Sequence, residues 1–128
     1  MTLLLDTCVF LWLALNIKRV SNVVLNLFQN PDSDILVSPV SLWEITLKYK
    51  LGKLHFEDTP QKVMETLCSN RGIAWLDFIH ADAFEQLAMP MLHRDPFDRM
   101  LVAQARRRGL TLVTPDTLLA RYGVDVLW

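Results

Sequence analysis

The chain has 128 residues, 52% of them hydrophobic and 21% charged, which suffices for one buried core, excludes intrinsic disorder and leaves no room for a second domain. Thirteen Lys and Arg against fourteen Asp and Glu give a formal charge of −1, so there is no overall electrostatic pull on nucleic acid. Any such binding would have to rest on a local basic patch.

The first segment, MTLLLDTCVFLWLAL, is strongly apolar. It lacks a basic leader and a small-residue cleavage site, and Asp6 interrupts it, so the expectation is neither a signal peptide nor a membrane span. Leu3 to Leu5 reads as a buried strand that stops on the carboxylate of Asp6. Cys8 to Leu15 then reads as a helix, and Val20 to Phe28 as a second, with Val20, Val24, Leu27 and Phe28 on one stripe. Asn30-Pro31-Asp32-Ser33 is a turn, and Asp34 to Val37 the second strand. Ser38-Pro39 opens a helix, with Ser as N-cap and Pro in the first turn. That helix is predicted to reach about Lys50, to end at Gly52, and to carry Val40, Trp43, Leu47 and Leu51 on its core face.

Thr59-Pro60 repeats the same start signal for a helix to about Asn70. Ile73 to Leu76 is a third strand closed by Asp77, followed by a helix over about Ala81 to Ala88 and a loop through His93-Arg94. Asp95-Pro96 begins a helix that ends at Gly109, with Met100, Leu101, Ala103 and Gln104 near its buried side. Leu110 to Val113 is a fourth strand, Thr117 to Ala120 a short helix, and Val124 to Leu127 a final strand. Cys8 and Cys68 form no CxxC or Cys/His cluster, which argues against a disulfide or structural zinc and for a reducing cytoplasm. No repeat, linker or low-complexity stretch divides the chain. The expectation is a single α/β domain over residues 1–128, three-layered, with a central parallel sheet of four to five strands flanked by helices.

In such sheets ligands gather beyond the carboxyl ends of the strands, and four acids lie there. Asp6 ends the first strand, and Asp116 follows the fourth after Thr114-Pro115. Glu44 is in the second turn of the helix after the second strand, where helical side chains lean back toward the N-terminus. Asp98 is in the first turn of a helix that runs antiparallel to the fourth strand, which brings it to the same edge. Four converging carboxylates repel one another unless a cation compensates them. Oxygen-only ligation suits Mg²⁺ or Mn²⁺. Plainer roles stay open: Asp6 and Asp116 as helix caps, Glu44 as a surface partner of Lys48 at i+4, and Asp95 as cap of the helix that carries Asp98. Thr7, Thr114 and Asp95 are expected to support the acids. Cys8 is assigned to packing, the four tryptophans to core or interface, and His55, His80 and His93 have no metal-ligand spacing.

Leu4-Leu5-Asp6-Thr7, Ser41-Leu42-Trp43-Glu44, the stretch from His93 to Leu101 (HRDPFDRML) and Leu112-Val113-Thr114-Pro115-Asp116 occur in an order and spacing that resemble PIN domains, specifically the VapC-like toxins with an H-R-D-P-F-D-R stretch. The likeness spans essentially the whole chain. It departs at Cys8, where relatives usually carry His. The resemblance implies a ribonuclease that uses acids matching Asp6, Glu44, Asp98 and Asp116 around Mg²⁺ or Mn²⁺, neutralised by a cognate antitoxin and assembled as a homodimer. On that reading Arg94, Arg99, Arg106, Arg107 and Arg108 are candidates for RNA phosphate contacts, although the triple arginine also suits a solvated helix C-terminus. Three rivals remain: a housekeeping RNA-processing nuclease, a catalytically silent binding module, and a phosphatase with Asp6 as nucleophile. The last is disfavoured because Cys8 stands where a second Asp is needed.

Overall fold

A computed structural model describes residues 1–92 and 95–128. Five parallel strands form one sheet: β1 (Thr2–Leu5), β2 (Asp34–Val37), β3 (Ala74–Trp75), β4 (Thr111–Val113) and β5 (Val126–Leu127), in the order β3-β2-β1-β4-β5. The helices are α1 (Thr7–Leu15), α2 (Asn22–Leu27), α3 (Pro39–Lys50), α4 (Pro60–Arg71), α5 (His80–Phe84) and α6 (Pro96–Arg108), with 3-10 turns at Ile17–Arg19, Glu85–Ala88 and Thr117–Tyr122. The α/β architecture read from the sequence is the one observed. No helix among the described residues is long and apolar enough to cross a membrane.

β1 lies at the centre, which explains its unbroken apolar run. Strand side chains alternate between faces, so Leu3 and Leu5 pack into one core with Val9, Phe10, Leu13, Val24, Met64 and Leu67, from α1, α2 and α4. Leu4 points the other way, into a second core with Leu101, Val102, Ala105, Leu112 and Tyr122. Helix α3 sits across the divide, giving Ile45 to the first core and Val40 to the second.

From β1 the strand order runs outward to β2 and β3, then returns to place β4 on the other flank of β1. The carboxyl ends of β1 and β4 therefore form the switch point of the sheet, where the connections diverge and leave a crevice. Asp6 follows β1 there and Thr114 follows β4.

Several helix signals act as their chemistry predicts. Ser38, Thr59 and Asp95 cap α3, α4 and α6 through side-chain oxygens that accept backbone N–H groups, each with Pro in the following turn. Gly109 ends α6 at φ 66°, a left-handed conformation that costs a glycine little. Elsewhere the expected boundaries shift. The helix expected over Val20 to Phe28 starts later, because Ser21 caps α2 by accepting from the Val24 N–H at 3.2 Å. The helix expected from Ala81 to Ala88 divides into α5 and a 3-10 turn. The third and last strands shorten to two residues each, at the two edges of the sheet.

The largest correction concerns the buried face of α3. Trp43, Leu47 and Leu51, expected in the core, are 68%, 41% and 61% exposed, whereas Val40, Ser41, Glu44 and Ile45 are buried. The apolar periodicity misled because the inward face of this helix carries polar groups needed at the crevice. Ser41 Oγ hydrogen-bonds Thr7 Oγ1 at 2.8 Å, and Glu44 is only 6% exposed. This orientation is testable by urea denaturation. Trp43→Ala is expected to change stability by no more than about 0.5 kcal/mol, whereas Ile45→Ala should cost roughly 2–5 kcal/mol. A core-sized loss for Trp43→Ala would reverse the assignment of the two faces.

Candidate active site

At the crevice a cavity of about 270 Å³ is lined by Asp6, Glu44, Asp98 and Asp116, together with Thr7, Cys8 and Lys48. Larger grooves lie elsewhere, one of about 800 Å³ along Leu13, Phe28, Lys62 and Leu67, but the acids gather in the smaller space. Each acid arrives from a different element. Asp6 is the N-cap of α1, with Oδ1 accepting from the Thr7 N–H at 2.7 Å. Its Oδ2 accepts from Thr114 Oγ1 at 2.7 Å, across a separation of 108 residues, and from Cys8 Sγ at 3.6 Å.

Burial raises the pKa of Asp6 from its ordinary value, because a carboxylate loses hydration there. The hydrogen bonds from Thr114, Thr7 and Cys8 oppose that rise, and the nearby charge of Glu44 adds to it. Glu44 projects from the second turn of α3. Its Oε2 accepts from Lys48 Nζ at 2.5 Å, while its buried Oε1 has no hydrogen-bond partner.

Asp98 stands half-buried in the first turn of α6, which Asp95 caps by accepting from the Phe97 and Asp98 N–H groups at 2.9 and 3.4 Å. Asp116 caps the Thr117–Tyr122 turn by accepting from the Leu118 N–H, and its own N–H donates to Thr114 Oγ1. Thr114 is fully buried and thus ties Asp6 to Asp116. Thr7, through Ser41, ties the start of α1 to α3. The plain capping roles and the convergence on one cavity hold together, since a cap at a strand end and a cavity-lining acid need the same location.

As the side chains stand, no three His, Cys, Asp or Glu among the described residues are close enough to hold a metal ion. Glu44 is drawn toward Lys48 and Asp116 toward its own turn. The residues nonetheless fit a hard divalent cation on chemistry. The donors are oxygens, and a buried carboxylate oxygen with no partner, Glu44 Oε1, is costly unless something satisfies it.

The arginine expectations need correction. Arg99 is 4% exposed and donates through Nε to Gln86 Oε1 and through Nη1 to the Pro90 carbonyl and Tyr122 hydroxyl, so it braces the interior. Arg106 pairs with Glu85, and Arg107 and Arg108 with Asp82. These three lie in the last turn of α6, about 12–15 Å along the helix axis from Asp98 at 1.5 Å per residue. Paired with the buried Asp82 and the partly buried Glu85, these arginines hold α5 and the turn after it against α6 and do not reach the crevice. Arg94 lies outside the described residues.

Two residues line the cavity without having been expected there, Cys8 and Lys48. Cys8 packs against the first core as expected, and beyond that its thiol touches Asp6, while burial pushes its pKa to about 12, with the Asp6 charge adding to the rise. A thiol of that kind is a poor nucleophile. Lys48 was read only as a possible surface partner of Glu44. Its spacing of four residues was the available signal, and what the spacing could not give was the burial of Glu44.

No curated protein matches the chain in sequence. Solved structures match in fold over nearly its whole length. VapBC2 from Rickettsia felis, solved bound to a DNA fragment from its promoter, is 19% identical, with 99% of this chain and 98% of that chain covered and a TM-score of 0.76. DNA-bound VapBC from Salmonella typhimurium is 21% identical, with 99% and 97% covered and a TM-score of 0.65. VapBC-5 from Mycobacterium tuberculosis, a member of the VapBC family of toxin-antitoxin systems, is 20% identical, with 98% and 97% covered and a TM-score of 0.61. At such identities the likeness is one of fold. The family itself is settled by a sequence model of the PIN domain that matches residues 3–125, and the chain therefore belongs to the PIN domain family.

Proposed function

We propose that this protein is a metal-dependent endoribonuclease that hydrolyses RNA phosphodiester bonds, and that it is the toxin of a toxin–antitoxin pair. The observation that carries the catalytic reading is the partnerless, buried Oε1 of Glu44 in the same cavity as Asp6, Asp98 and Asp116. A protein does not bury such an oxygen beside three further acids for stability, because each added carboxylate makes the next harder to ionise.

Asp6 and Asp98 are the residues that hold Mg²⁺ or Mn²⁺ in this proposal, with Asp116 binding directly or through water. Bound there, the metal supplies neutralisation of charge at the phosphodiester and a more acidic water. Glu44 holds the metal or takes the proton of the attacking water. Thr114 orients both Asp6 and Asp116, and Thr7, through Ser41, fixes the start of α1 against α3. Asp95 sets the start of α6 and hence the place of Asp98.

The toxin role is supported by the fold likeness to VapBC complexes. It brings with it two partners, a cognate antitoxin and a second copy of this chain. The reading is tested by incubating the purified chain with RNA in Mn²⁺ or in EDTA and sequencing the new 5′ ends. Discrete cuts in Mn²⁺ alone, lost when the neighbouring antitoxin-like protein is co-purified, are the expected result. Absence of metal-dependent cuts and of Mn²⁺ binding would leave a silent binding module. Cuts that no co-purified partner suppresses would leave a nuclease without an antitoxin.

A further inference from the structure

Lys48 is the one cationic side chain among the described residues that lines the acid cavity. Its ammonium binds Glu44 Oε2 at 2.5 Å, and the pair is lopsided: the Lys48 side chain is 46% exposed and that of Glu44 only 8%. A surface pair at i, i+4 has both ends in water and contributes little. Here the acid is committed to the cavity and the base reaches in from the rim. Glu44 shares the space with Asp6, Asp98 and Asp116. With one carboxylate oxygen held by Lys48 and the other unpartnered among the described residues, Glu44 is turned toward the lysine, and no group of three acids among those residues is close enough for a metal.

We propose that Lys48 is a resident counter-ion of the acid cavity, holding Glu44 in the metal-free protein and competing with the divalent cation for it. The inference rests on the metal-nuclease reading above. The sign follows from charge. Without metal, the Lys48 ammonium offsets part of the repulsion among the acids and so stabilises the fold. With metal, the same ammonium must yield Glu44 or remain beside a second cation, and either requirement weakens metal binding. A flexible stem with an exposed head lets the lysine withdraw. Lys48 thus positions Glu44 and sets the concentration at which the cavity takes up its ion.

The test uses the full chain without RNA and measures Mn²⁺ binding by titration calorimetry and melting in EDTA. Lys48→Met keeps the aliphatic stem and removes the charge. It is expected to lower the melting temperature in EDTA and to tighten Mn²⁺ binding by roughly three- to tenfold, the scale of a partly solvated ion pair. Lys48→Arg, which keeps the charge, should stay near the wild type on both measures. In a Glu44→Gln background, Lys48→Met should lose most of both effects, because its partner is gone.

A pair that is merely structural lowers stability and leaves affinity unchanged. Equal or weaker Mn²⁺ binding by Lys48→Met, with a wild type that binds Mn²⁺, therefore overturns the role of Lys48 and spares the metal-nuclease reading. Failure of both wild type and Lys48→Met to bind Mn²⁺ overturns the two together.

Discussion

Asp6→Asn is expected to lower Mn²⁺-dependent RNA cleavage by about a hundredfold or more, the scale on which loss of one essential charge-stabilising group acts, while the fold stays intact. Asparagine caps a helix as well as aspartate does, so the bond to the Thr7 N–H survives the exchange. Thr114 can turn its hydroxyl to accept from the new amide. The buried carboxylate, moreover, is not comfortable in the folded protein. Burial raises its pKa above the ordinary value of 3.8, which means that its charged form at neutral pH opposes folding. Removing that charge should leave the melting temperature in EDTA unchanged or higher. Asp6 therefore separates activity from stability, as expected of a group kept for chemistry. A cap kept only for structure would show little change in cleavage, since asparagine caps equally well. Cleavage assays in Mn²⁺ beside thermal melts in EDTA read both quantities, and undiminished cleavage would remove Asp6 from the proposed metal site.

Asp82→Asn should have the largest effect on stability among the polar residues. Asp82 is fully buried, and its two oxygens accept from Arg107 at 2.6 Å, from Arg108 at 3.0 Å and from the Ile79 N–H at 2.9 Å. Burial by itself would raise its pKa. The hydrogen bonds from Arg108, Ile79 and Arg107 outweigh that and hold the carboxyl at about 2. The folded value thus lies below the unfolded one of 3.8, so the ionised group stabilises the fold above pH 3.8, and this is lost as pH falls toward 2. At about 1.4 kcal/mol per pKa unit the contribution is about 2–3 kcal/mol. Asp82→Asn leaves two guanidinium groups without their anion, and a loss of about 2–3 kcal/mol at pH 7 is expected once their partial solvation is allowed for. Urea denaturation at pH 7 and at pH 2 reads the effect. The gap between wild type and variant should shrink on acidification, and a gap constant with pH would show that the charge is not what matters. RNA cleavage per folded molecule should be unaffected, because Arg107 and Arg108 are engaged at the far end of α6.

These two aspartates mark how far sequence reasoning reached. The position of Asp6 at the end of β1 was legible from a purely local signal, an acid at the end of an apolar run. Asp82 carried no local signal for its ion pairs, because Arg107 and Arg108 lie 25 and 26 residues away on another helix. The triple arginine was legible as a helix C-terminus but not as a set of intramolecular ion pairs. Trp43 shows a further limit. Apolar periodicity identifies a helix and its length, yet it assumes that apolar residues face inward. Around α3 that assumption fails, because the inward face must also present Ser41 and Glu44 to the crevice.

The sequence by itself determined the α/β class, the capped starts of α3, α4 and α6, and the four acids at one edge of the sheet. Those features depend on residues within a turn or a strand of one another. Only the tertiary structure decided which side chains meet: that Thr114 holds Asp6, that Lys48 occupies Glu44 inside the acid cavity, and that Arg106, Arg107 and Arg108 are spent on Glu85 and Asp82. The reason is physical. Burial and charge pairing depend on distances between segments far apart in the chain, and the strand order that sets those distances leaves no trace in the spacing of neighbouring residues.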